Sequence, residues 1–425
     1  MTKYQRAKHR IARDKAIKYE KQRNLYSLND DFNKVMTLQN MHRAFRYCKK
    51  GVGWKYSVQK YANNAITELY NTYLSLHNGI LNQQSGWKKI TIYERGKKRE
   101  ILPICINDRI PQRVLCEHAL IPVLRNKLIY DNGASIKGKG VSFTRNRLDK
   151  HLSSAIKEYG SEFYALVFDF KSFFDNISHQ QCLNILQHYF HDKYIKGLSL
   201  AIIKSYEKNR INQIQDIREK ERMLIKLKSN ELSGVCLGSQ ISHIIALSIP
   251  NSLDHFIKDR CGIKHYIRYM DDGVIFHKSK EYLTRLLNDM KVLCEKLGLH
   301  FNTKKTMIVK ASKGFSFMKI KYRVTSTGKI VRKLSRQGVV RMRRKLKKFK
   351  TLLQDGKITF DDVYNSFQSW LSITSKVIPY KTKRSMLKLY NQLFDGYRLT
   401  KKWTHISKSV QSIDKIGFCL ERCIA

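Results

Sequence analysis

The sequence predicts an α+β fold in which antiparallel strands are backed by helices, and three observations predict it. Tyr164-Ala165-Leu166-Val167-Phe168 is a continuously apolar, β-prone run that ends at Asp169. Residues 266–276 form a second such run, interrupted by the pair Asp271-Asp272. Helical patterns at 179–208, 239–257 and 281–297 complete an order of strand, helix, helix, strand-turn-strand, helix.

The flanking elements follow in chain order. Residues 1–80 read as a basic helical extension, with Lys and Arg recurring over 6–23 and apolar positions at helical period over 61–76. Ile90-Thr91-Ile92-Tyr93 and Ile101-Leu102-Pro103 alternate around Glu94-Arg95-Gly96-Lys97-Lys98, which predicts a β-hairpin with a cationic tip. A helix is expected over 111–128, and Asp131-Asn132-Gly133 with Gly138 and Gly140 marks a loop. Residues 218–228 form a charged insertion. Beyond Gly328 the chain reads as basic and helical and carries Arg341-Met342-Arg343-Arg344-Lys345-Leu346-Lys347-Lys348.

A chain of 425 residues exceeds what one core usually serves, so two or three subdomains are expected. A composition with 42% hydrophobic and 11% aromatic residues excludes a disordered tail. The 82 Lys and Arg against 34 Asp and Glu leave a net charge of +48, which calls for a polyanion: nucleic acid, or an anionic membrane surface. No apolar run reaches the roughly 18 residues of a spanning helix, and the basic start lacks a secretory apolar core. A cytoplasmic protein without membrane insertion is therefore expected. The nine Cys include no Cys-x-x-Cys pair, which argues against a disulfide framework or zinc ribbon, and Cys419 and Cys423 have the spacing of a packed helix face.

Unpaired carboxylates within a buried strand cost several kcal/mol each, so Asp271 and Asp272 need a compensating cation. A tight turn between their flanking strands would put both at a hairpin tip, where Asp169 could join them to hold hard cations such as Mg²⁺. An Asp-Asp pair taken alone is most simply a solvated turn. Its place between β-prone runs, with a second acid-ended strand upstream in a strongly basic chain, points instead to a metal site.

These residues resemble a known family. Tyr269-Met270-Asp271-Asp272 is similar to the Tyr-x-Asp-Asp box of reverse transcriptases, and Phe168-Asp169-Phe170-Lys171-Ser172-Phe173-Phe174-Asp175-Asn176-Ile177 resembles the first acidic box of group II intron-like bacterial members. Gly238-Ser239-Gln240-Ile241-Ser242 resembles the Gly-Ser box, although Cys236-Leu237 stands where many members have Pro-Gln. Gly298-Leu299-His300-Phe301-Asn302-Thr303-Lys304-Lys305-Thr306 resembles the next palm motif, and Phe315-Ser316-Phe317-Met318 the primer grip. Gly96-Lys97-Lys98-Arg99-Glu100-Ile101 and Asp108-Arg109-Ile110-Pro111-Gln112 resemble the fingers. The resemblance covers roughly residues 40–325 in the family's order.

The resemblance implies a right-hand polymerase: a basic N-terminal extension over 1–80, fingers over 81–160, a palm over 161–325 with part of the fingers inserted at 180–232, and a helical thumb over 326–425. It implies Asp169, Asp271 and Asp272 as catalytic acids and, with Phe170, as the site of two Mg²⁺ ions, with Mn²⁺ as a substitute. Nucleotide binding falls to Lys98, Arg99, Phe174, Gly238, Ser239, Gln240 and Lys305. Among these, Arg99 would reach over the triphosphate, Lys305 would lie near the departing pyrophosphate, and Phe174 would be the steric gate against a ribose 2′-hydroxyl. Nucleic-acid contacts fall to Arg109, Tyr269, Met270, Phe317, Met318, Arg341 and Arg344. Plainer readings stand beside these roles. Phe174 could be core packing beside Phe173, Lys98 and Arg99 an exposed tip, Ser239 and Gln240 a helix N-cap and first turn, and Trp370 and Trp403 buried helix anchors.

The implied activity is RNA-directed DNA synthesis, using dNTPs and an RNA template to make a cDNA product. Residues 130–140 and 236–240 look most like defence-associated, unknown-group bacterial reverse transcriptases, some of which copy a structured noncoding RNA. That resemblance implies such an RNA as partner and a role in antiphage defence. Two rivals stay open: a template-independent or protein-primed DNA polymerase of abortive-infection type, and a non-catalytic, maturase-like RNA-binding protein. No Cys- and His-containing nuclease or ribonuclease H carboxylate set is recognisable.

Overall fold

The computed structural model describes residues 28–81, 90–94, 97–101, 103–334, 336–374, 379–395 and 399. The chain divides into two compact units, residues 1–155 with 166–308, and residues 156–165 with 309–425.

The described residues of the first unit include the helices α1 (Phe32–Val35), α2 (Leu38–Lys49), α3 (Tyr56–Asn63) and α4 (Ala65–His77). Asp31 and Thr37 cap the first two by accepting main-chain N–H bonds. Phe32, Val35, Met36 and Met41 are buried, and the Phe32 N–H donates to Asp192 at 2.7 Å. The described part of the expected extension is thus built into the unit's core.

The hairpin expected near residue 95 is present as β1 (Ile90–Glu94) and β2 (Lys97–Ile101), while its tip, Arg95-Gly96, lies outside the described residues. The helix expected to open at Pro111 begins earlier, as α5 (Ile106–Leu115), with the buried proline inside it. α2 packs on α5. A π-helical segment, Cys116–Leu120, leads on to α6 (Ile121–Arg125), and α7 (Val141–Tyr159) follows.

β3 (Tyr164–Asp169), β4 (Tyr266–Tyr269), β5 (Asp272–His277) and β6 (Met307–Lys310) form one sheet in the order β4-β5-β3-β6. β3 lies inside it, and Ala165, Leu166 and Phe168 are completely buried, as a continuously apolar strand requires. β4 and β5 pair antiparallel with Tyr269 opposite Asp272, so Met270 and Asp271 make the turn.

Helices between these strands differ in detail from the expected ones. After the short α8 (Phe173–Asn176), residues 179–208 are two helices, α9 (His179–Tyr189) and α10 (Lys193–Asn212), and Asp192 caps the second. The charged insertion is a helix, α11 (Ile217–Lys228), capped by Asp216. Pro250 divides the apolar stretch into α12 (Gln240–Ser248) and α13 (Asn251–His255), because it lacks the N–H that would continue the helix. α14 (Lys280–Lys296) packs on β5.

In the second unit β7 (Phe315–Phe317), β8 (Ile320–Val324) and β9 (Ile330–Leu334) make an antiparallel sheet. β9 corrects the expectation that the chain turns helical directly after Gly328. Residues 315–324, expected to end the palm, form β7 and β8 here, and β8 pairs with both β7 and β9. Helices α15 (Arg336–Gln354), α16 (Phe360–Thr374) and α17 (Tyr380–Leu393) follow and share a core of Met342, Leu346, Val363, Phe367, Met386 and Tyr390. Trp370 stacks on Phe367 at 5.8 Å, as a helix anchor does. Trp403, Cys419 and Cys423 lie outside the described residues. Among the described residues no helix is long and apolar enough to cross a membrane.

Candidate active site

The β4–β5 turn is held from below by a buried charge. Arg268 is completely buried; its Nη1 donates to the Met270 carbonyl at 2.8 Å and its Nη2 to the Leu247 carbonyl at 3.0 Å. The same guanidinium pairs with Asp254 at 2.6 Å, and the Tyr266 hydroxyl donates to Asp254 at 2.6 Å. Met270 has φ of 55°, a left-handed conformation that costs a non-glycine residue about 1 kcal/mol or more and needs such support. Gly273 is dictated by close approach: a Cβ there would lie 2.1 Å from Cζ of Phe168.

Main-chain bonds lay the end of β3 against this turn. The Phe170 N–H donates to the Asp271 carbonyl at 3.1 Å, and the Asn302 N–H to the Asp169 carbonyl at 2.7 Å. The Asp169 carboxylate takes bonds from Lys305 Nζ at 2.6 Å and Asn302 Nδ2 at 3.2 Å. The Asp272 carboxyl lies beside those of Asp169 and Asp271. Burial and the neighbouring Asp169 and Asp271 carboxyls push the Asp272 carboxyl up to about 8. Burial works against the Lys305 charge, but the bond to Asp169 and its charge prevail and raise the lysine's pKa.

Carboxyl groups crowded in a buried corner mark more negative charge than their surroundings neutralise, and these all-oxygen donors suit a hard divalent cation. Among the described residues no three acidic, His or Cys side chains form a ready-made metal cage, and the Lys305 ammonium sits on Asp169.

The other candidate residues are placed as follows. Phe174 is half-buried and packs against Ala134, Ile136, Leu247 and Met270. Ser239 caps α12 through the Ser242 N–H and donates to Gln112 at 3.0 Å, so the plain capping reading describes it. Gly238 precedes it, exposed, with φ of 127°, and Gln240 is half-buried in the first turn. Lys98 and Arg99 lie in β2 opposite Tyr93 and Ile92, and their side chains are outside what is described. Arg109, Arg341 and Arg344 are exposed, and Tyr269 is half-buried.

Three candidates need correction. Phe170 is only 2% exposed, stacked on Phe173 and Phe301, so only its main chain is available to an ion. Met270 is buried in an apolar cluster and Phe317 is only 3% exposed, so neither side chain is presented to solvent here. Met318 sits in the β7–β8 turn with φ of 46°. Sequence reasoning missed Arg268 and Asp254, although a charge inside Tyr266-Ile267-Arg268-Tyr269 was the signal, and it gave no role to Asn302 or His243.

An antiparallel hairpin carrying two aspartates, set against an acid-ended strand in an α+β sheet, defines the right-hand polymerase class of fold. The family described as reverse transcriptase (RNA-dependent DNA polymerase) matches residues 88–322, and the chain belongs to that family. No curated protein matches it in sequence. Among solved structures it is similar to apo telomerase from Candida tropicalis truncated of its C-terminal domain, at 13% identity and a TM-score of 0.41, covering 63% of this chain and 60% of that one. It is also similar to telomerase from Candida albicans in complex with a TWJ fragment of telomeric RNA, at 13% identity and a TM-score of 0.39, covering 72% of this chain and 58% of that one. The chain thus spans about 60% of the telomerase chain it matches first.

Proposed function

We propose that this chain is an RNA-directed DNA polymerase that uses dNTPs to copy an RNA template into cDNA. The observation that carries the reading is the 3.1 Å bond from the Phe170 N–H to the Asp271 carbonyl, which sets Asp169 beside the Asp271-Asp272 turn and so joins acids from two distant segments in one corner. Mg²⁺ ions, or Mn²⁺ in their place, held by Asp169, Asp271, Asp272 and the Phe170 main chain would supply Lewis-acid charge for nucleotidyl transfer. Lys305, kept protonated by Asp169, offers a cation to the departing pyrophosphate. Phe174 excludes the ribose 2′-hydroxyl, while Gly238, Ser239 and Gln240 support the nucleotide. Lys98 and Arg99 neutralise its triphosphate, and Arg109, Arg341 and Arg344 take template and primer phosphates.

The template is proposed to be a structured noncoding RNA, and the biological role antiphage defence. Both rest on the resemblance of residues 130–140 and 236–240 to defence-associated bacterial members of the family.

Primer extension on a defined RNA tests the activity. The expected product is DNA complementary to that RNA, lost in an Asp271→Ala, Asp272→Ala protein. Random or homopolymeric DNA would instead establish a template-independent polymerase. Sequencing the RNA bound to the protein in cells carrying its native locus, alongside plaque counts, tests the template and the defence role.

A further inference from the structure

Phe174 is clamped between two rings. It meets His243 edge-to-face with centroids 5.1 Å apart and planes at 65°, and Phe173 likewise at 5.5 Å and 78°. Phe173 is buried and belongs to a stack that continues through Phe170 to Phe301. Close packing leaves that side of the clamp no freedom. His243 is different: it is half-buried on α12, and its main-chain N–H donates to the Ser239 carbonyl at 3.3 Å as part of that helix. It therefore ties Phe174 to the helix whose first turn carries Ser239 and Gln240. Burial lowers the pKa of His243 and so favours the uncharged imidazole.

We propose that His243 is a positioning residue for sugar selection: its ring holds Phe174 in the orientation that excludes a nucleotide bearing a 2′-hydroxyl. The inference rests on Phe174 being the sugar gate. The half-buried Phe174 lies on Ala134, Ile136, Leu247 and Met270, an apolar bed across which an aromatic ring can tilt. The imidazole edge is what opposes that tilt on the α12 side. Without it the ring gains a second orientation, and the space it vacates admits the ribose hydroxyl. An edge-to-face contact is strong enough to shift such a population by roughly two- to tenfold.

The experiment is primer extension with a matched dNTP and rNTP, giving the ratio of the two kcat/KM values for the wild type and for Phe174→Ala, His243→Ala and His243→Phe. His243→Ala is expected to lower dNTP-over-rNTP selectivity by roughly two- to tenfold. His243→Phe, which keeps an aromatic edge, is expected to restore it, and His243→Ala is expected to add nothing in a Phe174→Ala background. A general structural role would lower both kcat/KM values together and leave their ratio unmoved. An unchanged ratio in His243→Ala, with a lowered ratio in Phe174→Ala, overturns the inference and leaves the gate standing. An unchanged ratio in Phe174→Ala overturns the gate reading itself. If His243→Ala does not fold, His243→Gln takes its place as the variant without an aromatic ring.

Discussion

Arg268 and Asp254 form an ion pair at 2.6 Å in which both side chains are fully shielded from solvent. The same guanidinium holds the Met270 carbonyl, so the pair supports the turn that carries Asp271. Arg268→Met strands a buried carboxylate and is expected to cost about 3–5 kcal/mol of stability. Adding Asp254→Leu should recover much of that loss, yet leave DNA synthesis impaired because the Met270 carbonyl still lacks its donor. Urea unfolding and primer extension read the two effects separately, and an unchanged urea midpoint in Arg268→Met would contradict this account.

Asp272→Asn separates activity from stability. The native carboxyl is crowded by Asp169 and Asp271 in a buried corner, and an amide of the same shape relieves that crowding. The variant is expected to unfold at the same temperature as the wild type or a higher one, while its cDNA product falls below detection. Loss of fold would show that the carboxyl is structural instead.

Gly273→Ala puts a methyl group into the Phe168 ring. Overpacking of this kind costs about 1–3 kcal/mol, and Phe168→Leu in the same chain should return part of it. Thermal unfolding of the single and double variants checks this. If the two substitutions simply add, the close contact is not the cause.

Asp131 gives a pH dependence. Burial alone would raise its carboxyl, but His151 at 3.0 Å, the hydrogen bond from Arg147 and the charge of Lys258 hold it well below the ordinary range. A carboxyl lowered in the folded state contributes stability above its unfolded pKa of about 3.9 and loses it as pH falls below that value. Asp131→Asn should therefore be less stable than the wild type at pH 7, with the gap closing below about pH 4. Urea midpoints across this range test it, and a gap that widens on acidification would reverse the assignment.

Arg341 and Arg344 are exposed on α15. If both meet phosphates, replacing them with Gln lowers the slope of log affinity against log salt by about 0.7 per contact on single-stranded RNA. Filter binding at several salt concentrations measures the slope. An unchanged slope would remove these residues from the interface.

Much of the centre was legible because its signals are local. A continuous apolar run must be buried on both faces, so β3 and the two strands around Asp271-Asp272 could be read directly. Helix limits were harder, since Pro111 is favoured at helix starts and yet sits inside α5. β9 was hidden because Ile330-Val331-Arg332-Lys333-Leu334 is as basic as the helix after it. Motif position also does not say where a side chain points. Phe317 alternates into its sheet's core, and Met270 is turned into an apolar cluster by the strained turn.

The sequence by itself determined the α+β class, the position of the three acids at strand ends and the strongly basic character, because each follows from the order and chemistry of neighbouring residues. Only the tertiary structure decided that Asp169 lies beside Asp272, that Arg268 finds Asp254, and that His243 lies against Phe174. Coulomb and packing energies depend on distance in space, and folding alone sets that distance for residues far apart along the chain.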